Sequence, residues 1–255
     1  VKNKVCKSIL AVMFTALAVV LVSCDDLVSS SSSSSSKANP GHLGESFTLP
    51  VGEIWGWPSE QSATIEARIN IPGGMSFPIT SRPEVTGDFP AMEITAPEDT
   101  DGMSVISAIL DSDDFTWSDP EARIAFLEIT VVGYQETLGE IYREYYDWEE
   151  DDDGNDIFEE IIDVEWWYVT ADTSFRGTIE DDECEDEDEC EDVIPLVVNL
   201  DLRQGWNRVV TRFYASDSRE EATMTVGAEP AGVYWEYWEH DDDDDDDDEG
   251  NGDID

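Results

Sequence analysis

Lysine is what this sequence lacks most. All four lysines lie at or before Lys37, and the remaining chain sets nine arginines against sixty Asp and Glu (62 in all, less Asp25 and Asp26). That balance excludes nucleic acid and anionic lipid as partners, because phosphates bind where positive charge meets them. Histidine is nearly missing too. His42 falls in the N-terminal linker region and His240 abuts an aspartate run, so neither suggests a general base or a zinc site. No G-x-S-x-G elbow, P-loop, G-x-G-x-x-G or H-E-x-x-H occurs. Paired carboxylates can serve a glycosidase, but among sixty acids such pairs arise by chance. The expectation is a protein that is not an enzyme. Helical periodicity is thin as well: only Met103 to Leu110 reads as helix, two turns at most.

Strand signals fill the body instead. Ala63 to Asn70 alternates apolar with polar, and Ile124 to Val132 is apolar and rich in β-branched residues. Phe158, Ile162, Val164, Trp166 and Tyr168 share one parity, as on a half-buried strand. Val193 to Leu202, Trp206 to Tyr214, Ala222 to Val226 and Val233 to Trp238 follow, separated by turn residues. Two hairpins are predicted. One joins Glu140–Trp148 to Ile157–Thr170 through an acidic, glycine-containing tip; the other joins Ser174–Ile179 to Val193–Leu202 through a longer acidic tip. The predicted class is all-β: an antiparallel β-sandwich, one large or two small, Ig- or transthyretin-like, with acidic hairpin tips and disordered ends. Its N-terminal β region spans 45–135 and its C-terminal β region 136–239, followed by a disordered poly-Asp tail, 240–255.

The first forty residues carry a different message. Lys2, Lys4 and Lys7 precede thirteen uncharged residues, Ile9 to Leu21, the length of a signal-peptide core and too short for a stop-transfer span. Val1 is expected to be an initiator read from an alternative start codon. Leu21-Val22-Ser23-Cys24 resembles the lipobox of bacterial lipoproteins. The resemblance implies cleavage after residue 23 and a lipid on the sulfur of Cys24, with two or more acyl chains needed for stable anchoring. Cys6 would leave with the signal. Eight serines, Ser29 to Ser36, lie within the tether assigned to residues 24–44. Twelve to fifteen such residues reach on the order of 20 Å. Asp25 resembles the inner-membrane retention signal of enteric bacteria. The expected location is the cell membrane or outer membrane, facing periplasm or exterior.

A second resemblance lies in the C-terminal half. Tyr168, Ala171 and Asp172, then Gly177 and Thr178, then Leu202 with Gly205-Trp206-Asn207 follow a Y-A-D … G-T … L-x-x-G-W-N pattern, with Val169 and Thr170 inserted after the tyrosine. This is similar to uncharacterised bacterial lipoproteins built on a β-sandwich. It implies an extracytoplasmic β domain and no known activity. Read physically, Gly205-Trp206-Asn207 is a turn into a core strand with Trp206 buried.

Three constellations can carry chemistry. Cys184 and Cys190 are spaced C-x5-C in the acidic tip. Export favours a disulfide between them, and the eight surrounding acids disfavour a thiolate; a metal–thiolate site and free thiols are the alternatives. Glu149 to Glu160 partly imitates an EF-hand loop, with Glu149, Asp151, Asp153 and Glu160 as candidate Ca²⁺ ligands around Gly154. Its first position is Glu, Asp156 holds the usual apolar position, and the flanks read as strands. Finally, Val233 to Glu239 carries aromatics on both faces: Tyr234 and Trp238 on one, Trp235 and Tyr237 on the other. One face is core. The other is a second packing surface or a platform for envelope glycans, and Tyr234, Trp235 and Trp238 are the candidate platform residues. No cofactor is required; Ca²⁺ or other divalent cations are possible ligands. The functional expectation is a structural or binding module of the cell envelope, with a calcium- or carbohydrate-binding surface domain as the alternative.

The acidity is not confined to tips and tail. With the runs 147–156, 180–192 and 241–255 set aside, thirty-one acids still face nine arginines. Such self-repulsion opposes compaction, and the composition resembles that of proteins from salt-loving organisms. Screening shortens the Debye length from about 10 Å at 0.1 M salt to about 3 Å at 1 M. The melting temperature should therefore rise steadily between roughly 0.1 and 2 M NaCl; a flat response would contradict a saline adaptation.

Overall fold

The structure, a computed structural model, describes residues 39–58, 62–72, 75–98, 100, 103–106, 115–133, 137–150, 156–179, 194–216 and 219–239; for 148–150, 156–159, 216 and 219–220 it describes the backbone alone. Along these residues run β1 (His42–Gly44), β2 (Ser46–Leu49), β3 (Gly52–Trp55), β4 (Ala63–Ile71), β5 (Met75–Val85), β6 (Asp88–Phe89), β7 (Met92–Thr95), β8 (Ser104–Val105) and β9 (Thr116–Trp117). They continue with β10 (Arg123–Val132), β11 (Thr137–Glu150), β12 (Asp156–Val169), β13 (Thr173–Ile179), β14 (Leu196–Leu202), β15 (Gly205–Ser216), β16 (Arg219–Val226) and β17 (Tyr234–Glu239). Among the described residues, no helix is long and apolar enough to cross a membrane.

The class is all-β and sandwich-like, as the strand periods predict. The main sheet runs β6-β3-β17-β11-β10-β12-β15-β16-β14-β13-β9, with β1 added on β15, β4 and β8 on β10, and β5 on β4. The branch point is β10. Thr130–Val132 pair with β11 and Ile124–Phe126 with β12. Along its other edge β10 is laddered to β4, from Phe126↔Asn70 to Val132↔Thr64. The sheet folds over there. The alternating burial of β4 supplies Ile65 and Ile69 to a first core, which Trp166, Trp206, Val210, Trp235 and Met92 fill from β12, β15, β17 and β7. A second core lies against the opposite face of β12 and β15, where Trp167, Val169 and Val209 meet Phe175, Val198, Leu200 and Met224.

Both predicted hairpins form. β11 pairs with β12 up to Glu150↔Asp156, and β13 pairs with β14 from Thr173↔Leu202 to Ile179↔Leu196. Four expectations need correction. β12 is not half-buried: Trp167 and Val169 are covered as well as Ile162, Val164 and Trp166, because the second core supplies a partner layer for the other parity. The pairing is not wholly antiparallel, since β14–β16 and β17–β3 run parallel. Helix does not begin at Met103, because Ser104–Val105 pairs with β10; residues 107–110 lie outside the described set. The tether does not extend to residue 44, since His42 and Gly44 pair with Asn207 and Trp206. The signal segment, Cys24, the serine run and the tail from His240 onward lie outside the described residues.

The Gly205-Trp206-Asn207 turn shows why those residue types occur together. Gly205 has φ +101°, and a Cβ there would stand 2.7 Å from the carbonyl oxygen of Gly44, so only glycine lets β1 dock. Asp172 accepts from the backbone N–H of Gln204 at 2.9 Å and pairs with Arg203 at 2.8 Å. That backbone N–H, then Arg203, holds the Asp172 carboxyl below its usual range. Trp206 is buried as expected. Asn207, fully buried, accepts from the Arg203 N–H at 2.9 Å and donates to the carbonyls of Arg203 at 2.7 Å and Gly205 at 2.9 Å. Asn207→Ala strands these backbone groups. It should destabilise the protein by ~2–4 kcal/mol, read from the urea midpoint, and Asn207→Asp should not rescue it because a carboxylate cannot donate.

Candidate functional site

Strand parity builds one unusual surface. On β11, Glu140, Tyr142, Glu144 and Tyr146 point to one side, while Ile141 and Arg143 point to the other. On β17 the register sets Trp238 opposite Glu140, Glu236 opposite Tyr142 and Tyr234 opposite Glu144. Parallel pairing with β3 brings Trp55 beside Glu236. On the other flank Asp163 of β12 lies opposite Glu144, and Glu165 follows on the same parity. The result is a face of alternating aromatics and carboxylates. Its one basic neighbour on β11, Arg143, points into the opposite layer, where it pairs with Glu229 at 2.8 Å and lies over the Trp235 ring.

Aromatic N–H and O–H groups hold these acids. Glu144, 3% exposed, accepts from Tyr146 at 2.6 Å and from the Trp238 indole at 3.0 Å. Trp167 donates to Glu165 at 3.0 Å, and Tyr142 donates to Glu140. One oxygen of Glu236, Oε2, is buried with no hydrogen-bond partner. Burial, opposed by the Tyr146 and Trp238 hydrogen bonds and reinforced by Glu236, pushes the Glu144 carboxyl up to about 7. Burial, followed by Glu165 and Glu144, raises Asp163 well above the usual carboxylate range. Burial raises Glu165 too, against the pull of Trp167. Burial and then the neighbouring carboxylates raise Tyr142 and Tyr146, and the same causes push Tyr234 to about 12.

The rim is apolar and open. Trp55 is 59% exposed and Trp238 42%. Trp55 packs on Tyr234 with ring centroids 5.1 Å apart, and Tyr142 meets Trp238 edge-on at 6.3 Å.

Of the sequence-predicted platform, Tyr234 and Trp238 belong to this face. Trp235 does not. It is fully buried, stacked on Phe89 at 3.8 Å and donating to the Pro50 carbonyl at 3.0 Å, because its parity is that of the first core. Of the EF-hand-like segment the structure describes only the two ends, and both are strand. Residues 149–150 and 156–160 are laddered into the β11–β12 hairpin, with Glu149 opposite Ile157 and Glu160 opposite Asp147. Glu160 pairs with Arg212 at 3.2 Å. Asp151, Asp153, Cys184 and Cys190 lie outside the described residues, and among those described no group of three or more His, Cys, Asp or Glu is placed to hold a metal ion. Trp55 and the Glu140/Tyr142/Glu144/Tyr146 row were missed. The signal was present in the E-x-Y-x-E-x-Y alternation of 140–146, but its acids read as ordinary solvated positions.

Scans against protein-family models, curated proteins and solved structures give no match for this chain.

The raised Glu144 carboxyl makes a signed prediction. A group whose folded pKa exceeds its unfolded value contributes stability below the unfolded pKa and loses it as pH climbs through the folded one. Glu144 should therefore weaken the fold progressively between its ordinary 4.5 and about 7. Relative to wild type, Glu144→Gln should gain ~1–3 kcal/mol at pH 8 and nothing at pH 4, measured by denaturant midpoints. A gain that shrinks with rising pH would contradict the assignment.

Proposed function

We propose that this protein is a lipid-anchored, extracytoplasmic component of the cell envelope that works as a binding module rather than an enzyme. Anchoring rests on the lipobox-like Leu21–Cys24 behind an uncharged core, with the serine run as a flexible spacer. Binding rests on one observation: two exposed tryptophans, Trp55 and Trp238, flank Glu236 on one sheet face, and one carboxylate oxygen of Glu236, Oε2, is buried without a hydrogen-bond partner. Exposed large aromatics on a monomer's surface mark interaction sites more often than chance. A disulfide between Cys184 and Cys190 belongs to the same reading. The β13–β14 ladder closes at Ile179↔Leu196, which brings the two ends of their acidic connection together.

A glycan is the second reading for this face, favoured by the open ring of Trp238 beside carboxylates able to accept hydroxyl protons. Calcium at residues 149–160 has less support, given the ladder that runs through both ends of that segment.

The mature chain in detergent micelles should sediment saturably with washed, protein-stripped envelopes. Trp55→Ala combined with Trp238→Ala should weaken this roughly tenfold or more, the scale expected for losing two aromatic contacts. Equal sedimentation of the double variant would overturn the binding reading. Loss of labelled palmitate incorporation in Cys24→Ser is the expected result for the anchor.

A further inference from the structure

We propose that the outer face of β3, β17 and β11 binds an organic cation, specifically an alkylated ammonium group, seated over Glu236 between the Trp55–Tyr234 and Tyr142–Trp238 ring pairs. This rests on the binding-module reading and names its ligand class.

The geometry is that of a cation site with soft walls. Glu236 sits in the middle of β17, and Tyr234 and Trp238 stand two residues to either side on the same face, about 7 Å away along the strand. Tyr142 faces Glu236 across the ladder to β11, and Trp55 faces it across the ladder to β3. Glu236 is thus ringed by four aromatic side chains. A ring attracts a cation that approaches its face within ~6 Å of the centroid, and Trp is the strongest such ring. Trp55 and Trp238 are the two most open aromatics of this set, 59% and 42% exposed.

Charge selects the ligand. Glu140, Glu144 and Glu236 all point to this face, and β3 and β17 carry no lysine or arginine. The hydrogen bonds that satisfy Glu140 and Glu144 come from Tyr142, Tyr146 and Trp238. Glu236 Oε2 receives none although it is buried. A buried carboxylate oxygen with no donor is costly, and an incoming positive charge removes that cost. A neutral sugar would supply a hydroxyl donor but leave the charge uncompensated. A small hard cation such as Ca²⁺ requires six to eight oxygens at about 2.3–2.6 Å, and no three ligating side chains converge among the described residues. An alkylated ammonium is weakly hydrated, bulky and compatible with aromatic walls. It fits both halves of the site.

The test is calorimetric titration of the mature full-length chain in detergent with choline chloride, in about 1 M NaCl, where the ~3 Å Debye length suppresses diffuse attraction to the acidic surface. Saturable one-site binding is expected, weakened about tenfold or more by Trp55→Ala and by Glu236→Gln. Both positions lie on the outer face, so the far-ultraviolet circular dichroism of the variants should match wild type. Absence of saturable binding overturns the proposal, as does choline binding that survives Glu236→Gln unchanged. If choline fails while the chain still sediments with envelopes through Trp55 and Trp238, the ligand class is wrong and the binding module stands. Saturable binding of the neutral oligosaccharide maltoheptaose in place of choline likewise overturns the cation and keeps the module. If choline, maltoheptaose and envelopes all fail to bind, both readings fall.

Discussion

The ladder between β12 and β15, ten register pairs from Glu160↔Tyr214 to Val169↔Gly205, is the constraint on which the rest of the molecule hangs. It places a strand with acidic residues at the centre of a sheet whose two faces are both covered. Trp166 and Tyr168 fill one core, and Trp167 and Val169 fill the other. Asp163 and Glu165 ride on the same strand, so two carboxyl groups are carried inward with the aromatics. A chain with nine arginines after residue 37 and some sixty acids cannot give each such group a countercharge. Most of its arginines are engaged elsewhere, as Arg143 and Arg208 are with Glu229 and Arg212 is with Glu160.

The fold answers with other donors. Indole N–H groups from Trp167 and Trp238 and phenol O–H groups from Tyr142 and Tyr146 take the place a guanidinium would occupy. Such donors satisfy lone pairs without cancelling charge. Burial therefore raises Glu144, Asp163 and Glu165, and the hydrogen bonds from Tyr146, Trp238 and Trp167 offset only part of that rise at Glu144 and Glu165. The same substitution of aromatics for arginines creates the exposed face of Trp55, Tyr234, Glu236 and Trp238. Structure and candidate function share one cause: a shortage of positive charge inside an acid-rich β-protein.

Much of this was legible beforehand. The alternation of Ala63–Asn70, the two hairpins and the glycine–tryptophan–asparagine turn were readable because period-two burial and turn chemistry are local properties. The platform strand was half legible. Its aromatics were evident, but which parity faced the core was not, and Trp235 went inward with Ile54 and Phe89. The β11 row of Glu and Tyr escaped notice because a carboxylate on a strand reads the same whether solvent or an indole lies above it. The EF-hand imitation rests on a spacing rule that describes a loop, whereas both described ends of the segment are strand.

Composition and local pattern thus determined the all-β class, the hairpins, the turn at Gly205 and the expectation of export. Local forces decide such features, since side-chain period, glycine torsion and charge count need no distant partner. Tertiary structure alone decided the branching of the sheet at β10, the double burial of β12, the two parallel pairings and the meeting of Trp55 with β17 across 180 residues of chain. Those depend on which strand edges find each other. Many strands of similar apolar content compete for the same edges, and only the assembled cores select among them.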